Sequence, residues 1–180
     1  ITNNNKNLKE VVINSLKAGV KIVQYREKLL NDNEKIDQAK MLASTCKKYN
    51  ALFIVNDRVD IALATNADGI HLGQGDIPTK IARQLLGSEK IIGRSTHCFE
   101  EIKNAEEEGC DYIGIGPIFP SKTKKKLNPL GIDYLKEGFK RSLLPSFAIG
   151  GINSSSIKKL NEIENLRIAV SDAIINSNDP

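Results

Sequence analysis

Tryptophan is absent, and aromatic residues make up only 5% of the chain. Surfaces that bind single-stranded nucleic acid stack bases on rows of aromatic side chains, and this chain has little to build one from. No long apolar run occurs, which excludes a membrane-spanning helix. The three cysteines, Cys46, Cys98 and Cys110, are an odd set with no C-x-x-C and no Cys/His spacing. They read as free thiols of a reducing, cytoplasmic compartment. A strong excess of one charge is also missing, since 26 Lys and Arg stand against 22 Asp and Glu, a net +4. Such a bias permits an anionic small molecule as partner and does not call for nucleic acid. The chain opens on Ile1 rather than Met, with no charged-then-apolar leader. The expectation is of a domain trimmed at its N-terminal end.

What the chain does have is a core's worth of apolar residues, 40% of 180, with 27% charged. That suits one globular domain over residues 1–180. Short runs rich in Ile and Val recur at Lys21–Tyr25, Leu52–Val55, Gly69–Leu72, Ile91–Gly93, Tyr112–Ile115, Ser146–Ile149 and Arg167–Val170. They read as buried parallel strands. Between them lie stretches with helical spacing, such as Leu8, Val11, Val12, Leu16 and Ile36, Ala39, Leu42, Ala43, Cys46. Gly19 and Gly109 mark helix ends, Asn66 to Gly69 a longer turn, and Asn31-Asp32 and Ser154-Ser155 helix starts. Pro78 stands where a helix begins. One helix per strand predicts an α/β protein, a (βα)8 TIM barrel whose first strand is reduced to Ile1-Thr2 and whose last helix is short. An open doubly wound sheet is the alternative. It is weakened because no G-x-G-x-x-G follows the first strand.

In such a fold the carboxyl ends of the strands build the site. Polar residues or Gly follow every strand run: Gln24-Tyr25-Arg26-Glu27-Lys28, Asn56-Asp57-Arg58, His71 to Asp76, Arg94 to His97, Gly116 to Lys124, Gly150-Gly151-Ile152 and Val170-Ser171. Arg26, Lys28 and Lys124 are cations suited to phosphate oxygens. Asp57 and Asp76 follow neighbouring strands, and a pair of hard carboxylates suits Mg²⁺ bridging to substrate phosphates. Gly150-Gly151 lets backbone N–H groups approach an anion, and a helix starting near Ser154 would favour negative charge at its N-terminus.

Each of these residues has a plainer reading. Arg26 and Glu27 could pair on the surface. Asp57 and Asp76 could cap the helices that follow. His71 reads as a packed histidine, and His97 as either a cap or a pocket residue. Most of the lysines at 122–126 read as a solvated loop, and Gly150-Gly151 alone could be a tight turn.

Taken in order, the phrases quoted, with Gly93-Arg94-Ser95-Thr96-His97, Gly114 to Pro120, Thr123-Lys124 and Ile149 to Ile152, resemble the thiamine-phosphate synthase family over essentially the whole chain. The resemblance implies a βα barrel that joins an aminopyrimidine methyl diphosphate to a thiazole phosphate, releasing diphosphate. It implies that Gln24, Arg26, Lys28, Asn56 and Lys124 hold the pyrimidine diphosphate, with Tyr25, Glu27 and Lys122 in the same substrate-binding phrases. Ser95 would stand by the reacting diphosphate. Ser121, Thr123, Gly151, Val170 and Ser171 would hold the thiazole phosphate, and Asp57 and Asp76 would hold Mg²⁺. Arg26, Lys28, Ser95 and Lys124 would act on the reaction itself. A homo-oligomer is compatible with this reading, and neither nucleic acid nor membrane is expected as partner. The chain departs from the family pattern at Ser121, where Thr is usual, at Lys125-Lys126, and at Glu164 to Arg167. The related thiazole tautomerase would not need the Arg26, Lys28, Asn56, Asp57, Asp76 and Lys124 set.

Overall fold

A computed structural model describes residues 1–5, 7–121 and 127–177. It divides into two compact units, one made of Ile1–His71, Ile81–Ile91 and Ser171–Pro180, the other of Leu72–Lys80 and Ile92–Val170.

In the first unit, α1 (Leu8–Lys17), β1 (Ile22–Tyr25), α2 (Asp32–Lys48), β2 (Leu52–Asn56) and α3 (Val59–Ala64) lead to β3 (Gly69–Leu72). β1 pairs with β2 and β2 with β3, all parallel, with Tyr25 opposite Val55 and Asn56 opposite His71. Period-two alternation sends Val23, Tyr25, Phe53 and Val55 into one apolar cluster with Leu8, Val12 and Leu16 of α1 and Leu42 and Cys46 of α2. Gln24 and Ile54, opposite one another in the register, therefore face the other side of the sheet. Helix α2 starts where expected. The Asn31 side chain accepts from the Glu34 N–H at 3.0 Å and the Glu34 carboxylate accepts from the Asn31 N–H at 3.1 Å, which satisfies two donors at the helix start. Residues 1–2 are not assigned as a strand. The Thr2 N–H nevertheless donates to the Gln24 carbonyl at 2.8 Å, so this segment runs beside β1.

The second unit carries β4 (Ile91–Thr96, from Ile92 on), α5 (Phe99–Glu107), β5 (Tyr112–Ile115), α6 (Ile132–Arg141), β6 (Ser146–Ile149) and β7 (Ile168–Ala169). Its strands pair in the order β4-β5-β6-β7, again all parallel. Ile113, Ile115 and Ala148 pack with Ile102 of α5 and Leu135 of α6 in a second apolar cluster. Arg94 and Thr96 lie opposite Ile113 and Ile115 and so share their face, while Ser95, opposite Gly114, faces the other way. Helix α4 (Thr79–Leu86) begins directly after Pro78, and α7 (Asp172–Ile175) is a single short turn.

All seven strand runs appear where the sequence puts them. Strand β4 is three residues longer than expected, since Arg94, Ser95 and Thr96 continue the ladder. Gly19 and Gly109 end helices at φ +102° and +76°. The helix expected from Ser154 is the correction. Only a 3₁₀ turn, Ile157–Leu160, forms there. The Asn153 side-chain oxygen accepts from the Ser155 and Ser156 N–H groups at 3.0 Å each, the bonding of an N-cap, so the cap stands one residue before the expected Ser154 and opens a short turn.

Candidate functional site

The first unit brings the ends of β1 and β2 together through side chains. Thr2 fixes the exit of β1, for its hydroxyl oxygen accepts from the Arg26 N–H at 2.8 Å and donates to the Arg26 carbonyl at 3.3 Å. Glu27 shapes the turn that follows by accepting from the Leu29 and Leu30 N–H groups at 2.6 and 3.3 Å. That turn delivers Lys28, whose ammonium is ion-paired with the Asp57 carboxylate. Both side chains reach solvent, at 51% and 20% exposure, so a ligand can approach the pair. Asp57 has φ +63°, in the left-handed region that few non-glycine residues adopt. Its N–H donates to the His71 carbonyl at 2.9 Å, and the Asn56 carbonyl accepts from the Arg58 N–H at 2.8 Å. Backbone strain of this kind is retained where the surroundings over-determine it, and it clusters at functional sites. Asp57 does not cap α3, because Arg58 occupies the N-cap position.

Two neighbours of this site are structural. Tyr25 is 2% exposed, stacks on Phe53 with ring centroids 6.2 Å apart, and donates its hydroxyl to the Lys35 carbonyl at 3.3 Å. Its side chain, at the end of β1, therefore packs into the helix-side core. Burial, with the Glu27 charge nearby, holds its phenol well above the usual range. Arg58 is spent on Asp32, at 2.9 Å, and on Asp60, and its hydrogen bonds hold both carboxyls below their ordinary range. Gln24 is buried on the side of the sheet opposite Tyr25.

In the second unit the Asp76 carboxylate accepts from the Gly73 N–H at 2.6 Å, and the Asp76 N–H donates to the Gly73 carbonyl at 3.2 Å. Gln74 donates from Nε2 to the Ser95 carbonyl at 2.7 Å. Ser95 is partly exposed on β4, on the face away from the helix-side core. The Glu101 carboxylate accepts from the His97 N–H at 2.6 Å and lies 2.9 Å from its Nδ1.

Gly150 and Gly151, at φ +97° and +67°, lie flat against the chain leaving β5. The Ile118 N–H donates to the Ile149 carbonyl at 2.9 Å and the Phe119 N–H to the Gly150 carbonyl at 3.0 Å. A Cβ on Gly151 would lie 2.5 Å from the Pro120 oxygen and 2.7 Å from the Phe119 Cβ. Ser121 and Val170 are half-buried members of this unit. Ser171 belongs to the first unit, where its carbonyl accepts from the Ile174 and Ile175 N–H groups of α7. Lys122, Thr123 and Lys124 lie outside the described residues.

The sequence reading left three polar residues out of the site, Gln74, Thr79 and Arg94. Gln74 stood inside a quoted phrase. Arg94 carried a signal too, as the one cation in its strand.

The donor chemistry fits Mg²⁺. Asp57 and Asp76 offer hard carboxylate oxygens, and the cation already beside Asp57 shows that this carboxylate is matched to positive charge. Among the described residues no group of three or more His, Cys, Asp or Glu could hold a metal ion.

Parallel strands in sequence order, each followed by a helix or helical turn and ending in polar residues, define a TIM-barrel-like α/β protein. The family model of thiamine monophosphate synthase matches residues 1–174. The chain belongs to that family. A thiamine-phosphate synthase of Prochlorococcus marinus is 52% identical over 180 residues, 100% of this chain and 52% of its own length. That of a second strain is 51% identical over 177 residues, 98% of this chain and 50% of its own. The solved thiamine phosphate pyrophosphorylase from Pyrococcus furiosus is 33% identical, with a TM-score of 0.89 over 99% of this chain and 87% of the other. The chain thus spans about half the length of the curated relatives it matches.

Proposed function

We propose that the chain is a thiamine-phosphate synthase: it joins 4-amino-2-methyl-5-(diphosphooxymethyl)pyrimidine to thiazole phosphate, giving thiamine phosphate and diphosphate. The observation that carries this reading is the pairing of Lys28 with a left-handed Asp57 at the adjoining ends of β1 and β2, in a chain whose family match runs over residues 1–174. The two pieces join by substitution at the pyrimidine methylene. The C–O bond to diphosphate breaks, its electron pair leaving with the diphosphate, and the thiazole nitrogen lone pair forms the new C–N bond. The electron-rich aminopyrimidine stabilises positive charge on that carbon, so departure of diphosphate precedes attack.

Little covalent work then falls to the protein, and its task is to neutralise charge, orient the substrates and exclude water. Arg26 and Lys28 place cations on the leaving diphosphate, with Lys124 assigned the same role. Gln24 and Asn56 orient the pyrimidine diphosphate, and Ser95 donates to it. The backbone N–H of Gly151 is assigned to the thiazole phosphate, and Ser121, Thr123, Val170 and Ser171 are assigned to the same ligand. Mg²⁺ held by Asp57 and Asp76 would supply further positive charge to the diphosphate. The free thiols of Cys46, Cys98 and Cys110 are what a reducing, cytoplasmic setting would leave.

The test is direct. The protein is mixed with both substrates and Mg²⁺, thiamine phosphate is assayed, and EDTA serves as the control. Metal-dependent product is expected. Binding of both substrates without product would overturn the catalytic reading, and binding of neither would return the chain to the tautomerase alternative.

A further inference from the structure

Arg94 is a charged residue turned into a core. It sits on β4 opposite Ile113, on the helix-facing side, at 8% exposure. Its guanidinium donates to the Thr79 hydroxyl at 3.1 Å and stands 3.5 Å from the Glu108 carboxylate. Thr79, fully buried, donates its own proton to Glu108 at 2.7 Å, so one hydroxyl both accepts and donates. Desolvating an ion pair seldom improves stability over apolar residues of the same size. The cluster does have a geometric consequence. Thr79 ends the connection from Leu72, and Gln74 near its start donates to the Ser95 carbonyl at 2.7 Å. The connection is thus tied to two consecutive residues of β4, Arg94 and Ser95, and Asp76 lies between the ties with its carboxylate on the Gly73 N–H.

We propose that Arg94 is a positioning residue: by holding Thr79 against β4 it fixes the Asp76 carboxylate relative to Ser95, and so sets the affinity of the Asp76 side of the site for a divalent cation bound with diphosphate. The inference rests on the reading of Asp76 as a metal ligand. Arg94 touches neither substrate nor metal and acts through the Thr79 hydroxyl.

The test reads metal binding rather than turnover. Mn²⁺ is titrated into the 180-residue chain with and without inorganic diphosphate and followed by electron paramagnetic resonance, for the wild type, Thr79→Val, Thr79→Ser and Arg94→Met. Loss of a residue that supports metal ligands typically weakens binding by about 10–100-fold. The expectation is a loss near the lower end of that range in Thr79→Val, with a cooperative thermal transition retained and affinity recovered in Thr79→Ser. Arg94→Met should weaken binding at least as much. If it does not fold, the two Thr79 variants carry the test alone. A folded Thr79→Val that binds Mn²⁺ and diphosphate like the wild type overturns the positioning role and leaves the proposed function standing. A wild type with no diphosphate-dependent Mn²⁺ binding overturns the metal-ligand reading of Asp76, and the positioning role with it.

Discussion

Replacing Gly151 by Ala separates what the backbone demands from what the packing demands. At φ +67° an alanine pays roughly 1–2 kcal/mol for the left-handed conformation. The added methyl would then lie 2.5 Å from the Pro120 oxygen and 2.7 Å from the Phe119 Cβ, too close for any real Cβ. Pushing that segment away should cost a further 1–3 kcal/mol or so. The total is about 2–5 kcal/mol, toward the upper end of what single substitutions do. Gly109→Ala is the control, because Gly109 also has positive φ, +76°, but nothing lies within 4 Å of the position its Cβ would take. Urea unfolding of the two variants and the wild type gives both values. Gly109→Ala should lose only the backbone share, and Gly151→Ala about 1–3 kcal/mol more. Equal losses would refute the argument that Gly151 is required by the approach of residues 119–120. Gly151→Ala should also raise KM for thiazole phosphate, because the same displacement moves the proposed anion-binding N–H.

Asp57→Asn keeps a side chain that tolerates the left-handed backbone but removes the charge. At saturating Mg²⁺ it should lose about 100- to 1000-fold in turnover, with urea stability within about 0.5 kcal/mol of the wild type. Near-normal kinetics would remove Asp57 from the site. Tyr25→Ala should destabilise by about 3–5 kcal/mol as a core truncation, and Tyr25→Phe by about 1 kcal/mol or less, since only the 3.3 Å hydrogen bond to Lys35 is lost. A stable Tyr25→Ala with a selective rise in pyrimidine KM would move Tyr25 into the site. Burial, with the Asp68 charge, raises the Cys46 thiol from 9.0 to about 11. Its contribution to stability is therefore complete below pH about 9 and fades toward pH 11, as the unfolded thiol ionises first. The stability advantage of the wild type over Cys46→Ala should shrink by up to about 2.7 kcal/mol across that window. An advantage that stays constant in urea titrations from pH about 8 to about 10.5 would contradict the burial argument.

The strands were legible because buried parallel strands are short, continuous apolar runs, and each of the seven has one. Strand β4 was read short because Arg94 and Thr96 are polar. They belong to the ladder because Thr79, Glu108 and the Gly114 carbonyl satisfy them inside the core. After Gly151 the start of a helical segment was legible at Ser154-Ser155 and its length was not: Asn153, one residue earlier, supplies the cap, and only a 3₁₀ turn follows. In the candidate site, strand-end position pointed to Asp57 and Lys28 but not to their pairing, because which side chains meet depends on a turn shaped by Glu27 and on the left-handed conformation of Asp57. Tyr25 shows the limit of reasoning by phrase. It stands between two proposed site residues in sequence, and the two-residue period of a strand turns it to the opposite face from Gln24.

The exit from β5 is tied twice. The Phe119 N–H reaches the Gly150 carbonyl, and further along the chain the Leu130 and Gly131 N–H groups return to the Pro117 and Ile118 carbonyls at 2.8 and 3.2 Å. The start of α6, at its N-cap Gly131, is therefore anchored to the exit of β5 by backbone hydrogen bonds, which a side-chain substitution other than proline leaves in place.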